Sequence, residues 1–333
     1  MSDGMNHATE YDRQLALAAA FIEQHDDFLV VSHIQPDGDA ASSTYATGWM
    51  LTQLGKSFTL INEGAMPSKF SFLKQSETCL ELKDHPSDRL YKAVISVDCA
   101  DFSRIGRVST LFDEDVQLLN IDHHPTNDYF GTCHLLKFDA AATVQILYDL
   151  ALYMKLKLTV TFGEYIYTGL LTDTGGFRYS NASPEVLQIG ASLLALGVQG
   201  SDIAEQVLER MTYPQIVLLQ KALSTLSFAY DRRIAWLAVS LDDLALTGAS
   251  SEDLDGLVNY PRNVEGVEVG MLFKEKAPGV IKVSLRSSGL VDVAAIAQSI
   301  GGGGHFRASG CTVYGTLEDA VVKMIQEVGS KLI

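Results

Sequence analysis

The sequence predicts an α/β protein: a first domain on a parallel sheet, then a smaller α/β domain with a mixed sheet. Three observations carry that expectation. Short apolar runs of strand length alternate with stretches of helical period, the pattern of buried parallel strands joined by crossover helices. Several of those runs stop directly at an acid or a histidine, and in open α/β sheets ligands bind at the carboxyl ends of strands. Finally, 333 residues at 47% hydrophobic composition suffice for two domains with sizeable cores. The expected division is 1–198 for the first domain, 199–228 for a helical linker and 229–333 for the second domain.

In chain order, residues 10–24 carry Leu15, Ala18, Ala19 and Ile22 at helical spacing and read as an amphipathic helix. The runs 28–32, 58–61, 93–97 and 118–121 read as buried strands. Residues 40–54, stopped by Gly55, read as a helix, as do 140–153 and 162–171. This alternation predicts helices on both faces of the sheet. A helix over 183–196 opens on Ser183-Pro184-Glu185 and stops at Gly197. A long helical connector is expected over 203–226, broken or kinked at Pro214. The second domain then opens with a strand at 234–239, and 267–273 and 280–285 form a hairpin about Ala277-Pro278-Gly279. A helix at 293–300 runs into a loop of four glycines, 301–304, before a last strand at 311–314 and a closing helix at 317–332.

The polar residues cluster where the strands stop. His33-Ile34-Gln35-Pro36-Asp37-Gly38-Asp39 follows the first strand. Pro36 and Gly38 tighten this loop, so His33, Asp37 and Asp39 can converge as a mixed imidazole and carboxylate set suited to a hard cation. A solvated helix start would account for Asp39, but not for a histidine closing a buried strand. Asp98 closes another strand, and Asp122-His123-His124 another. Asp173 lies in Thr172-Asp173-Thr174-Gly175-Gly176, read as a glycine turn after a helix. One strand-end acid means little. With His33 and His123 at one sheet edge, the carboxylates of Asp37, Asp39, Asp98, Asp122 and Asp173 would repel one another strongly unless cations neutralised them, which points to a divalent-metal centre.

The totals limit the partners. A formal net charge of −16 argues against a long nucleic-acid polymer, which draws on a broad basic surface, and leaves room for a short phosphate ligand. The second domain's Arg262, Lys274, Lys282, Arg286, His305 and Arg307 lie near expected strand ends and the glycine run, whose backbone N–H groups can cradle phosphate. Cys79, Cys99, Cys133 and Cys311 form no C-x-x-C pair and read as reduced thiols. No apolar run reaches membrane-span length, and residues 1–10 carry no signal-peptide core. A cytoplasmic protein without a membrane partner is therefore expected.

In this order and together, His33-Ile34-Gln35-Pro36-Asp37-Gly38-Asp39-Ala40, Val97-Asp98-Cys99, Asp122-His123-His124 and Thr172-Asp173-Thr174-Gly175 resemble the motifs of the DHH phosphoesterase family. In the second half, Val283-Ser284-Leu285-Arg286-Ser287 and Gly301-Gly302-Gly303-Gly304-His305 with Ala308-Ser309-Gly310 resemble its associated C-terminal domain. The likeness is strongest to the bacterial bifunctional oligoribonucleases that also act on pAp (3'-phosphoadenosine 5'-phosphate). It implies an active site in a cleft between the domains and two divalent ions, manganese foremost. His33, Asp37 and Asp98 would hold one ion, and Asp39, Asp98, His123 and Asp173 the other, with Asp98 shared. His124 would face the substrate phosphate and Asp122 would orient its neighbours, which makes His124, Asp122 and Asp98 the catalytic set. His124, Arg262, Arg286, Gly302, Gly303, Gly304 and His305 would grip the substrate. The reactions implied are degradation of short RNA to mononucleotides and removal of the 3'-phosphate of pAp.

Ser42, Gln145 and Ser309 depart from residues common in the family, at positions that bear on substrate preference and not on metal binding. A cyclic di-AMP or pApA phosphodiesterase is the alternative that the motifs do not separate. A catalytically inactive nucleotide sensor would lack a metal ligand, and every expected ligand is present. Oligomeric state, a homodimer included, is left open.

Overall fold

The computed structural model describes residues 9–74, 78–85 and 89–332, with the His305 side chain outside the described residues. The chain forms two compact units, Met1–Arg210 and Met211–Ile333.

The first unit is built on β1 (Phe28–Val31), β2 (Phe58–Asn62), β3 (Leu80–Glu81), β4 (Tyr91–Val97), β5 (Phe112–Asp122) and β6 (Cys133–Leu136). They form one six-stranded sheet in the order β3-β2-β1-β4-β5-β6, and every pairing is parallel. The direction of winding reverses between β1 and β4. Such a switch point splays the connections apart and opens a crevice at the strands' carboxyl ends. Helices α1 (Glu10–Gln24), α2 (Gly38–Gln53), α3 (Thr143–Tyr153), α4 (Val160–Asp173) and α5 (Pro184–Leu196) follow the sequence reading in outline, while α6 (Gly200–Ala204) starts ahead of the connector expected over 203–226. The larger core lies between α1–α6 and the face carrying Phe28, Val30, Ile95, Val97, Leu119 and Ile121.

Several expectations are corrected. The other face of the sheet, with Leu29, Val31 and Val94, is closed not by an α-helix but by 3₁₀ turns over Phe102–Leu111 that bury Ile105, Val108 and Leu111. The 140–153 helix starts at Thr143, because Ala142 is extended. Asp173 is not in the glycine turn but is the last residue of α4. The continuous 203–226 connector is absent. A π-turn at Glu205–Glu209 follows α6, the backbone at Arg210 is extended, and α7 (Tyr213–Ser224) begins afresh on a Thr212–Gln215 capping box with Pro214 in its first turn, where a missing N–H costs nothing.

The second unit carries β7 (Ser227–Ala229), β8 (Ile234–Val239), β9 (Val269–Ala277), β10 (Val280–Ser287), β11 (Gly303–His305) and β12 (Ala308–Tyr314). They form a mixed sheet in the order β11-β12-β10-β9-β8-β7, with β8–β9 parallel and the other pairings antiparallel. Helices α8 (Leu241–Thr247), α9 (Asn259–Arg262), α10 (Val293–Ser299) and α11 (Leu317–Gly329) complete it. Two cores result. One lies under α10 and α11 with Val269, Met271, Phe273, Ile281, Val283 and Leu285. The other joins α7 to Leu237, Val239, Leu254, Leu257 and Leu272. β7 and α8 were not anticipated, both being too short for a clear period. The glycine run was read as a loop, yet its second half is strand β11, paired to β12 through Gly303–Gly310 and Gly304–Ser309. A side chain at Gly302 would place its Cβ 2.2 Å from the Gly310 carbonyl oxygen. The glycines thus let two backbones approach; they do not mark a floppy segment.

Candidate metal centre

The switch point supplies the site. β1 delivers His33 on one side of the crevice, β4 delivers Asp98 on the other, and β5 adds Asp122, His123 and His124. α2 begins in the loop after β1. Asp37 is its N-cap, with Oδ1 accepting the N–H groups of Asp39 and Ala40, both at 3.1 Å. Asp39 is then fixed from above: its carboxylate accepts the N–H groups of Thr143 at 2.6 Å and Val144 at 3.1 Å, and the Ser43 hydroxyl at 3.3 Å. It thereby satisfies donors at the start of α3, where no side-chain cap is provided.

Asp98 stands at the centre. Its φ of 58° lies in the left-handed region, which short polar residues tolerate better than others. Oδ2 lies 3.6 Å from His33 Nε2. Oδ1 lies 3.7 Å from His123 Nε2 and 3.6 Å from His124 Nδ1, and accepts the Thr143 hydroxyl at 3.0 Å. The two oxygens therefore face two different sets of side chains. His33 Nε2 is also 4.0 Å from Asp37 Oδ1. His123 Nε2 is 4.0 Å from Asp39 Oδ2 and 3.6 Å from Asp173 Oδ2. Ligand atoms each about 2.1 Å from a shared cation sit about 3–4 Å from one another, so these separations fit coordination better than direct hydrogen bonding. Three groups could hold a metal ion: His33 with Asp37 and Asp98, Asp39 with His123 and Asp173, and Asp98 with His123 and His124. All six expected ligands are thus brought together.

Asp122 is held apart from them. It accepts from His124 Nδ1 at 2.7 Å and from Asn127 Nδ2 at 2.7 Å, and is fully buried. Asn127 in turn donates to the Cys99 carbonyl at 3.1 Å. The Ala140 carbonyl accepts from His123 Nδ1 at 3.2 Å, which leaves Nε2 toward the acids. Asn62, at the end of β2, donates to the His33 carbonyl and to Ser32 Oγ. Asn62, Asn127 and Thr143 were not singled out in the sequence. A buried polar residue closing an apolar strand was the available signal for Asn62; for the other two there was none.

The electrostatics match a cation site. Burial first, then the charges of Asp98 and Asp37, raises Asp39 well above the usual aspartate range. Burial first, then Asp39, Asp37 and Asp98, does the same to Asp173. Burial opposes ionisation of Asp98 too, but the adjacent His33 imidazole and the charges of His124, His123 and His33 outweigh it and hold Asp98 below its ordinary value. His124 is pushed up to about 9: burial works against this, but the hydrogen bond to Asp122 and the charges of Asp98 and Asp122 prevail. Several buried acids competing for one positive environment are stabilised together only by added positive charge.

The remaining expected residues lie in the second unit. Arg286 on β10 stands opposite Gly270 on one side and Ala308 on the other, and Ala308 opposite His305. Arg262 closes α9, its backbone over Gly270, where an added Cβ would come within 2.5 Å of the Arg262 nitrogen. Register thus runs one backbone row through Gly270, Arg286, Ala308 and His305, with Arg262 packed over Gly270. Gly302 donates to the Ala297 carbonyl at 2.8 Å. Of the family departures, Gln145 Oε1 accepts the Ala141 N–H, Ser309 donates to the Val293 carbonyl, and Ser42, buried in α2, has no hydrogen-bond partner for its hydroxyl among the described residues.

Comparison with known proteins agrees with the geometry. Residues 27–170 match the DHH family N-terminal domain and residues 235–331 the DHHA1 domain. The bifunctional oligoribonuclease and PAP phosphatase NrnA of Thermus thermophilus is 32% identical, over 99% of this chain and 98% of that protein. The Bacillus subtilis protein of the same name is 25% identical over 88% and 91%. The crystal structure of an exopolyphosphatase-related protein from Bacteroides fragilis superposes with a TM-score of 0.88 at 25% identity, covering 96% of both chains. With its motifs, fold and relatives in agreement, the chain belongs to the DHH phosphoesterase family, with a DHHA1 domain over residues 235–331.

Proposed function

We propose that this protein hydrolyses short oligoribonucleotides to mononucleotides and removes the 3'-phosphate of pAp, using two divalent ions of which manganese is the foremost candidate. The observation that carries the metal reading is the split of Asp98, one oxygen toward His33 and the other toward His123. His33, Asp37 and Asp98 would hold one ion, and Asp39, Asp98, His123 and Asp173 the other. Two such ions supply Lewis acidity to the phosphoryl oxygens and favour in-line displacement. His124, held at Nδ1 by Asp122, presents its imidazole to the substrate phosphate and stabilises charge as the transition state forms. Asp122 acts on His124 and not on substrate, with Asn127 holding it in place. Arg262, Arg286, Gly302, Gly303, Gly304 and His305 bind the nucleotide. The substrate assignment is supported by the full-length relatives named as bifunctional oligoribonucleases and PAP phosphatases. The scattered free thiols support a cytoplasmic reading, and no single described helix is long and apolar enough to cross a membrane.

The test is a hydrolysis panel of pAp, pApA, cyclic di-AMP and RNAs of about two to five nucleotides, each with manganese, magnesium or chelator. Turnover of pAp and short RNA that vanishes in chelator is expected. Full activity after exhaustive chelation removes the metal reading. Turnover of cyclic di-AMP or pApA in preference to pAp removes the substrate reading.

A further inference from the structure

The 3₁₀ turns over Phe102–Leu111 that close the second face of the first sheet also reach the crevice. They follow Asp98-Cys99-Ala100-Asp101 directly. Asp101 is their N-cap, and its Oδ1 accepts the Arg104 N–H at 3.2 Å and the Ser103 hydroxyl. The Arg104 carbonyl accepts the Ile34 N–H at 2.9 Å. Ile34 follows His33 in the loop between β1 and α2. The backbone of Arg104 therefore spans the switch point, from the segment after Asp98 to the loop that carries His33 and Asp37. Gly106, at φ 67°, keeps that contact close: a Cβ there would come within 2.4 Å of Ile34 Cγ2.

The turns carry two arginines in different circumstances. Arg107 is exposed and neutralised: its backbone N–H and its Nε donate to the Glu63 carboxylate at 2.7 and 2.9 Å. Arg104 is half-buried, and its guanidinium makes no hydrogen bond or ion pair among the described residues. Asp101, the acid nearest in sequence, turns Oδ1 to the turn itself. The Arg104 charge acts instead on His124 and Cys99, and at His124 it opposes Asp98 and Asp122. A guanidinium near an imidazole that two aspartates favour in its charged form is unfavourable until an anion offsets both. The planar fork of an arginine matches two oxygens of one phosphate.

We propose that Arg104 is a further catalytic residue, whose guanidinium donates to the phosphate that His124 faces, from the opposite wall of the crevice to the loop of His33. This deepens the proposed function and rests on it for the placing of the substrate phosphate at His124. The role differs from that of the ions. They draw on the carboxylates and supply Lewis acidity, whereas Arg104 supplies two aligned N–H donors to oxygens that gain charge in the transition state. Its position is set by backbone bonds to Asp101 and Ile34, so the donors are held in place before substrate arrives. Because the contact is to the phosphate being cleaved, it serves pAp and short RNA alike.

The test compares the full chain with Arg104→Gln and with Arg107→Gln, an arginine of the same turns that is already paired. Arg104→Gln is expected to lower kcat/KM about ten- to hundred-fold on both pAp and a dinucleotide, the loss of one charge-assisted contact, and Arg107→Gln to leave it unchanged. A second readout needs no turnover: calorimetric binding of inorganic phosphate to the manganese-loaded protein. Arg104→Gln should weaken it by a similar factor while the manganese affinity measured in the same way stays at the parent value. Unchanged phosphate affinity in the folded variant overturns the proposal. So does a matching loss in Arg107→Gln, which would assign the effect to the turns, or a loss of manganese affinity, which would assign it to the ions. Should Arg104→Gln not fold, Arg104→Lys keeps the stem and the charge but not the fork, and the same measurements apply to it with an expected loss of about ten-fold. If the parent protein cleaves neither pAp nor short RNA the functional reading fails, while phosphate affinity still decides the role of Arg104.

Discussion

Asp98 concentrates at one residue what the site needs, two carboxylate oxygens turned to different partners from a left-handed backbone position. Asp98→Asn is the informative substitution. Asparagine tolerates that conformation and can still accept from Thr143, whereas alanine adds strain of about 1–2 kcal/mol. Asp98→Asn should leave the circular dichroism spectrum intact and lower single-turnover rates by about a hundred-fold or more, since it removes charge from both proposed ion positions. Near-normal rates in the folded variant would show that Asp98 is not shared. At this scale the sequence was legible where a residue's chemistry is rare at its position: a histidine closing an apolar strand, an acid where a helix or strand stops. It was illegible where the partner comes from far along the chain. Nothing local marks Thr143 as the donor to Asp98, 45 residues away, or separates Asn127 from an ordinary turn asparagine.

Elements were legible where burial is uniform. β1 and β4 show as unbroken apolar runs because both faces of the sheet are covered. They were illegible where the backbone alone decides. β11 is strand because Gly302–Gly304 let it lie against β12, and glycine carries no strand propensity to announce this. The 203–226 stretch has helical composition throughout, yet extended Arg210 divides it. The restart of the helix at Thr212 is secured by Asp253, whose carboxylate accepts the Thr212 hydroxyl at 2.5 Å, the Ser250 N–H at 2.7 Å and the Ser250 hydroxyl at 3.1 Å. Burial disfavours the Asp253 charge, but these bonds outweigh it and hold its pKa below the ordinary value. A carboxyl depressed on folding contributes stability above its unfolded pKa and loses it as pH falls through the folded one. Asp253→Asn should therefore lower the melting temperature of the second unit at neutral pH, with the difference shrinking below about pH 4. A difference that persists undiminished at about pH 2 would mean that the charge is not what matters.

On the scale of the whole molecule, all the proposed metal ligands lie in the unit Met1–Arg210 and none in Met211–Ile333. The sequence reading placed a helical linker over 199–228, and the division between the units falls inside that span. A ligand that binds only the folded state stabilises it by RT ln(1 + [L]/Kd), about 2.7 kcal/mol at a hundred-fold excess over Kd. Scanning calorimetry of the chelated and manganese-loaded chain should show the first unit's transition rising and the second unit's staying in place. Joint movement would show that the two units unfold as one.

The hydrogen bonds that fix Asp37, Asp39 and His123 come from helix starts and a backbone carbonyl, so the protein frame itself sets the geometry of the donors. Ions then behave as exchangeable parts. Among first-row metals, intrinsic affinity for such nitrogen and oxygen donors follows a general order that differs little from protein to protein. Occupancy inside a cell is accordingly governed by the free-ion pools that surround the enzyme. In the laboratory the same rigidity makes cobalt(II), with its visible absorption bands, a practical reporter for following coordination in solution.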